Sequence, residues 1–274
     1  DGLLPSIVRE VALLRSLANS HHPNIVELIE VEVSGTDVTV VTEYVKNNFM
    51  DWFAVLKDTP RIKLLSEIRG PFRHLLQAVS FLHKRGIFHR NLSPCNVLWD
   101  PSTRTVKVAD FGLGRSLDTP LKAYSPEAPK LRLQSARENR RLLYKAPEIL
   151  LRYDVYGLGV DMWSVGCMLG EAVRGEPLFP SDGEMDHFFK VFRMMGSPSQ
   201  DHWGGALGTK HFSVKFPIYA PVDFAEVARV TATGCWDGAA SSAVVALKKS
   251  RPEVHEHLTI CSQVLQVDGM LLLQ

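Results

Sequence analysis

The chain has 274 residues, of which 45% are hydrophobic and 22% are charged, and these values are ordinary for a globular protein. Its formal net charge of +1 gives no general attraction to nucleic acid or to an anionic membrane surface. No apolar run approaches the length of a membrane span. The four cysteines form no CxxC pair, which predicts a reducing intracellular compartment, either cytoplasm or nucleus.

The first predicted element is an amphipathic helix over residues 5–18, with Ser6 as a suitable N-cap. Its apolar residues at helical spacing are Ile7, Val11, Leu14, Leu17 and Ala18. A turn and a strand are predicted at residues 22–28, and a second β-rich run at residues 38–45. A helix with one apolar face is predicted over residues 72–84 and ends before Gly86.

Four short motifs follow this helix. In one-letter code they read IFHRNLSPCNVL at residues 87–98, KVADFGL at 107–113, APE at 146–148 and VDMWSVGCML at 160–169. The first is a polar loop entering a strand, and the second is a strand that ends in an acidic turn. Taken singly, Asn96 is an ordinary turn residue and Asp110 an ordinary cap, so only the combination carries weight.

In this order and spacing the motifs resemble the catalytic loop, metal-binding turn, activation-segment signature and αF helix of the protein kinases, in particular the cyclin-dependent kinases. The resemblance covers residues 5–217. It implies an α+β, two-lobed protein kinase fold with a truncated small β lobe at residues 1–45. Residues 46–217 would form the mainly helical large lobe, and residues 218–274 a divergent C-terminal part of that lobe.

The resemblance also implies ATP and Mg²⁺ as cofactors. The amide of Asn96 and the carboxylate of Asp110 would ligate Mg²⁺ through oxygen, the ligand atom that this ion prefers. The implied nucleotide-binding set is Thr42, Glu43, Val45, Leu98, Asn96 and Asp110. Glu10 matches the αC glutamate, whose lysine partner in the family lies on a strand upstream of Asp1, as does the glycine-rich loop. Both features are absent from these residues, so we expect weak nucleotide binding.

The departures from the family concentrate on catalysis. Asn91 stands where the family has its catalytic Asp, and Ser93 stands where a lysine contacts the transferring phosphate. An amide cannot take up a proton near neutral pH, and general-base assistance typically contributes roughly 10²–10⁴-fold. Arg141 replaces the threonine that would bond to both groups. The chemistry of phosphoryl transfer is therefore expected to be impaired.

Regulatory features of the family are retained. Arg9, Arg90 and Arg115 match three arginines that converge on a phosphorylated residue of the activation segment, and Ser125 occupies that residue's place. Residues 5–10 resemble the cyclin-binding helix motif of the family, but the motif is one residue shorter, which argues against cyclin pairing. A basic stretch at residues 129–141 lengthens the activation segment.

The sequence is compatible with three functional interpretations. The first is a pseudokinase that binds a protein substrate or a regulatory protein, with a cyclin-like protein as one alternative partner. The second is a weakly active Ser/Thr kinase, and the Asn91 and Ser93 pair separates it from the first. The third is a non-functional truncated product, which the missing strands would favour. None of the three involves nucleic acid or a membrane.

Overall fold

The computed structural model describes residues 5–35, 37–116, 140–153, 156–200, 207–209, 212 and 216–220. They belong to two compact units, Asp1–Leu117 and Asp118–Gln274. Ser125, residues 129–139 of the basic stretch and residues 221–274 lie outside the described residues. Among the helices in the described ranges, none is long and apolar enough to cross a membrane.

The first unit begins with helix α1 (Pro5–Ala18), which confirms the helix predicted from the periodicity. Strands β1 (Leu28–Ser34) and β2 (Asp37–Thr42) then form an antiparallel hairpin. The strand predicted within residues 22–28 begins only at Leu28. The residues before it are held outside the hairpin by hydrogen bonds of Asn24 to Val106 and Val108. The Nδ2 of Asn24 donates to Val106 O over 2.9 Å, and its carbonyl accepts from the N–H of Val108.

Two helices and a small sheet form the centre of the first unit. The sheet has the order β3 (Asn47–Asn48), β5 (Val97–Asp100) and β6 (Thr105–Val108). Helix α2 (Phe49–Leu56) starts with a capping box, in which the Asn48 side chain accepts from the N–H of Met50 and of Asp51. Aromatic rings pack between α2, the following helix α3 (Arg61–Lys84) and β5. They are those of Phe49, Trp52, Phe53, Phe72 and Trp99.

Helix α3 (Arg61–Lys84) is longer than the predicted span of residues 72–84. Pro71 lies inside it, where a proline usually marks a boundary because it lacks an N–H and crowds the preceding turn. The helix continues through this position because Leu64 and Ile68, in its first half, are buried in the same core as the second half. Tertiary packing therefore outweighs the local preference for a break.

The strands β4 (Ile87–Phe88) and β7 (Arg115–Ser116) form a second short antiparallel pair. This pairing brings the start of the polar loop at residues 87–98 next to the segment that follows the acidic turn. The loop and the turn, which are separate in sequence, therefore meet in one place within the first unit.

The second unit contains helices α4 (Pro147–Leu150), α5 (Gly159–Arg174) and α6 (Glu184–Met195). Helix α5 is buried from Gly159 to Ala172, as its apolar sequence predicts. The carboxylate of Glu171 is buried and accepts a hydrogen bond from the Tyr144 hydroxyl. It also forms an ion pair with Arg140, in which Nη2 lies 2.5 Å from Oε1. The helices and small sheets of the two units together give a mixed α and β composition.

Candidate active site

The acidic turn is held in an uncommon backbone conformation. Asp110 has φ 66° and ψ 71°, in the left-handed region that Asp and Asn tolerate better than most residues. It is followed by a single 3₁₀ turn, Phe111–Leu113. Because the sequence resemblance predicts a metal ligand at Asp110, we call residues 110–113 the metal turn. The side chain of Phe111 is fully buried, and its ring centroid lies 4.9 Å from that of His89. This contact anchors the turn to the polar loop.

His89 joins the polar loop to the strand that precedes the metal turn. Its ring is fully buried, and Nε2 lies 2.9 Å from the carbonyl oxygen of Ala109. Its Nδ1 accepts the N–H of Asn91 over 3.3 Å. These partners assign the proton to Nε2, which donates to Ala109, and leave the imidazole neutral. The ring thereby fixes the backbone at Asn91.

Asn91, Asn96 and Asp110 form one connected group. The side-chain amide of Asn91 donates to Oδ2 of Asp110 over 3.2 Å. The side-chain amide of Asn96 donates to the carbonyl oxygen of Asn91 over 2.8 Å. Since the nitrogen of Asn96 is used in this way, its Oδ1 is the atom that can ligate a cation. Asn91 therefore links the two residues predicted to ligate Mg²⁺, and their side-chain oxygens are of the kind that this ion prefers.

Ser93 lies in the same loop and is 1% exposed. Its hydroxyl makes no hydrogen bond with any residue that the structure describes, although its carbonyl accepts from the N–H of Asn96 over 2.9 Å. A short buried hydroxyl cannot extend to a phosphate as a lysine does, and it carries no charge. The position thus contributes no cation to the site.

Glu10 reaches the metal turn from α1. It accepts a hydrogen bond from the backbone N–H of Phe111, which lowers its pKa. Burial and the neighbouring carboxylate of Asp110 outweigh this bond, so the pKa of Glu10 is raised above its usual value. Within the described part of the chain, no Lys or Arg pairs with Glu10. The glutamate therefore faces an acid and a backbone amide.

The predicted adenine-binding segment lies at the end of β2. The N–H of Glu43 donates to the carbonyl of Glu27 over 3.0 Å, and the Glu43 carboxylate accepts from Lys107 Nζ over 2.7 Å. Lys107 is the cross-strand partner of Leu98, so Glu43 and the predicted floor residue are on neighbouring elements. No sequence pattern predicts this ion pair, because 64 positions separate its partners.

The backbones of two of the three predicted phosphate-binding arginines, Arg90 and Arg115, lie close together. Arg90 Nε donates to the carbonyl oxygen of Leu113 over 2.7 Å, and Arg115 donates to that of Gly114 over 2.9 Å. The β4–β7 pairing, in which Phe88 opposes Arg115, brings their backbones close. Arg9 lies on α1 beside Glu10. The serine to which these arginines were assigned, Ser125, is outside the described residues.

Comparison with known proteins identifies the class of the chain. The model of the protein kinase domain matches residues 3–219. Cyclin-dependent kinase 1 of Encephalitozoon cuniculi (strain GB-M1) is 34% identical over 229 residues, which cover 84% of this chain and 72% of that protein. The chain belongs to the protein kinase family. Within that family it is of the cyclin-dependent-kinase-like type, and the predicted α+β kinase fold is confirmed.

Proposed function

We propose that this chain is a cyclin-dependent-kinase-like protein whose phosphoryl transfer is impaired and whose role is to bind a protein partner in the cell. The observation that carries the proposal is the hydrogen bond from the Asn91 amide to Asp110. In this bond the residue at the family's general-base position, Asn91, acts as a neutral hydrogen-bond donor. The lobe boundaries and the nucleotide-binding residues given above are part of the same proposal.

The chemistry of Asn91 explains the impairment. A base in this position must accept the proton of a substrate hydroxyl, and an amide has no basic group to do so. Moreover, its N–H is directed at Oδ2 of Asp110, so its amide nitrogen holds the metal turn instead of a substrate. The uncharged Ser93 removes a cation that would balance the transferring phosphate. Two electrostatic contributions to transition-state stabilisation are thus lost together.

Nucleotide and metal are assigned to the retained oxygen atoms. Proteins of this family generally use ATP and Mg²⁺, and Asn96 and Asp110 would hold the metal. When bound, the ion would neutralise part of the phosphate charge. The amide bound to Asp110 competes for one carboxylate oxygen, and the carboxylate of Glu10 lies near that of Asp110. We therefore propose weak, Mg²⁺-dependent ATP binding, which a thermal-shift titration with and without Mg²⁺ would measure.

The family to which the chain belongs supports a protein as the binding partner. The relative is named a cyclin-dependent kinase, so a regulatory protein or a protein substrate is the proposed partner, and a cyclin-like protein is one alternative. Phosphorylation of Ser125 is the proposed regulation, supported by the proximity of Arg90 and Arg115 on the β4–β7 pair. A phosphate accepts charge-assisted bonds from guanidinium groups.

A weakly active kinase is the second candidate, and the retained Asn96 and Asp110 favour it. Transfer of label from γ-labelled ATP to generic Ser and Thr peptides separates the two. We expect little or no transfer by the wild type, and a gain when Asn91→Asp and Ser93→Lys are combined. Asp110→Asn is the control for metal dependence. Wild-type turnover at about 1–100 per second, abolished by Asp110→Asn, would show that the protein is a competent kinase.

A further inference from the structure

We propose that the outward side of the first turns of α3 is a docking surface for an acidic segment of a partner protein that also carries apolar side chains. This surface comprises Ile62, Lys63, Leu65 and Arg69, and we call it the α3 face. The inference rests on the proposed function in one respect, because it gives the proposed binding role a surface and a kind of partner. It involves neither phosphoryl transfer nor nucleotide.

The first turns of α3 carry apolar side chains on both sides of the helix. Leu64 and Ile68 are buried in the core, whereas Ile62 is 92% exposed and Leu65 is 41% exposed. The latter two are three residues apart, so they are neighbours on the helix surface. One exposed apolar residue is ordinary, and the outward positions of a surface helix are usually polar. Two adjoining ones form an apolar patch that no described residue covers.

Cations without an acidic partner flank this patch. Lys63 is exposed and Arg69 is half-buried, and neither forms an ion pair with an acid in the described ranges. The one acid of α3, Glu67, is already paired with Arg104, whose Nη2 lies 2.8 Å from its Oε2. An exposed acid, Asp58, lies in the turn before the helix. The α3 face itself is therefore apolar and positively charged.

The start of α3 adds to the positive potential. Its N-cap residue is Pro60, which makes no side-chain hydrogen bond, and its first turn contains no acid. A helix N-terminus carries a partial positive charge, so acids are favourable there and a lysine such as Lys63 is unfavourable. An acidic ligand would relieve this excess of positive charge.

The combination of charge and apolar surface selects the partner. Apolar side chains of an acidic protein segment would cover Ile62 and Leu65, while its carboxylates would meet the cations. A nucleic acid would meet the cations but would leave the apolar patch in water. A second copy of the chain, placed face to face, would oppose cations with cations. An acidic and partly apolar segment of another protein fits both features.

Selection from a phage-displayed library of random peptides tests the surface. The peptides have about 14 residues, roughly four helical turns. The full chain is the bait, and phages that also bind the double variant Ile62→Ser, Leu65→Ser are removed. We expect the retained peptides to contain more Asp and Glu than Lys and Arg, together with large apolar residues. Fluorescence anisotropy of a labelled peptide should show weaker binding at higher salt, because exposed charges are screened.

Matched variants separate binding from folding. The double variant should bind a selected peptide weaker by roughly tenfold or more, because two apolar contacts are lost. Ile29→Ser, at another exposed isoleucine, should bind as the wild type does. Lys63→Glu should weaken binding by roughly tenfold at low salt, yet unfold at a higher urea concentration, because an acid in the first turn stabilises a helix. Lys84→Glu, at the exposed end of the same helix, should leave binding unchanged.

Several results would overturn the docking surface. They are a library that yields no peptide after subtraction, retained peptides that are neutral or basic, and equal affinity of the double variant and Ile29→Ser. Self-association of the wild type that the double variant abolishes would assign the α3 face to a contact between two copies instead. Peptides that bind elsewhere on the chain would refute this surface and leave the proposed binding role standing. Label transfer from ATP tests the proposed catalytic impairment independently of all these results.

Discussion

The side-chain amide of Asn91 lies 3.2 Å from Oδ2 of Asp110 and donates a hydrogen bond to it. An aspartate at position 91 would place a second carboxylate at this distance, and Glu10 already faces the first. The amide is therefore better suited than a carboxylate to a site without bound cation. The proposed loss of the general base and the lower repulsion beside Asp110 would then both follow from having Asn at position 91.

Asn91→Asp tests this relationship. Without Mg²⁺ we expect the variant to be less stable than the wild type by about 1–2 kcal/mol, because two carboxylates then oppose each other at close range. Millimolar Mg²⁺ should recover much of the loss. Urea unfolding with and without Mg²⁺ measures both quantities. Asn19→Asp, at an exposed position beyond α1, is the matched control. Equal stability of Asn91→Asp and wild type without Mg²⁺ would contradict the electrostatic argument.

Gly114→Ala should disturb the contact between α1 and the metal turn. Its Cβ would stand 2.7 Å from Leu13 Cδ1 and 3.1 Å from the carbonyl oxygen of Phe111, and the latter cannot easily move. Overpacking of this kind costs typically about 1–3 kcal/mol. Gly112→Ala is the control, since its Cβ would meet its nearest neighbours at 3.6 Å, an ordinary contact.

Combining Leu13→Ala with Gly114→Ala completes the test of this packing. The smaller side chain removes one of the two close contacts, so the double variant should lose less stability than the sum of the two single changes. Thermal unfolding of the wild type, the two single variants and the double variant gives the interaction free energy between positions 13 and 114. Additive losses would mean that Leu13 and Gly114 do not share the contact.

The fold was predicted best where periodicity is strong. Helix α1 matches its predicted bounds, whereas the first half of α3 was missed because Pro71 interrupts the local pattern and tertiary burial overrides it. Motifs identified the loop and the metal turn, because their residue types and spacing are distinctive.

Neither periodicity nor a motif predicts the contacts between residues within the site. Glu10 binds a backbone N–H, which any residue at position 111 other than proline would supply, and the Lys107–Glu43 ion pair joins distant positions. The hydrogen bond from the Asn91 amide to Asp110 could not be predicted either. The sequence shows which residue stands at position 91, but not the direction of its side chain.

Glu148 provides a prediction on pH. It is 3% exposed, and burial raises its pKa to about 7 from a usual 4.5, while no Lys or Arg pairs with it in the part of the chain that the structure describes. The folded state thus holds a proton that the unfolded state releases near pH 4.5. Stability should fall as the pH rises from 4.5 to 7, by up to about 3 kcal/mol, and remain level above that.

Glu148→Gln removes this titration. The variant should show a flatter stability profile between pH 5 and 8 and should exceed the wild type at pH 8. Urea unfolding at a series of pH values measures the slopes. Glu32→Gln, at an exposed position of β1, should leave the profile unchanged. A steep profile retained in Glu148→Gln would assign the pH dependence to another group.

The last prediction concerns Arg90 and Arg115, two of the arginines that were predicted to bind a phosphate. Arg90 and Arg115 are held near each other by hydrogen bonds to the carbonyls of Leu113 and Gly114. A phosphate accepts charge-assisted bonds from guanidinium groups, and Ser125 precedes Pro126, as a proline-directed kinase requires. We expect phosphorylated Ser125 to be bound by these arginines and to protect the surrounding segment from cleavage.

Limited proteolysis before and after phosphorylation by a proline-directed kinase tests this expectation. Cleavage between residues 117 and 143 should slow several-fold in the phosphorylated protein, because charge-assisted bonds order the segment that carries the phosphate. Ser125→Ala should abolish the difference, and Arg90→Ala should reduce it. Lys46→Ala, which removes a cation far from this segment in sequence, is the control for general charge. Equal cleavage of both states would exclude a phosphate switch at Ser125.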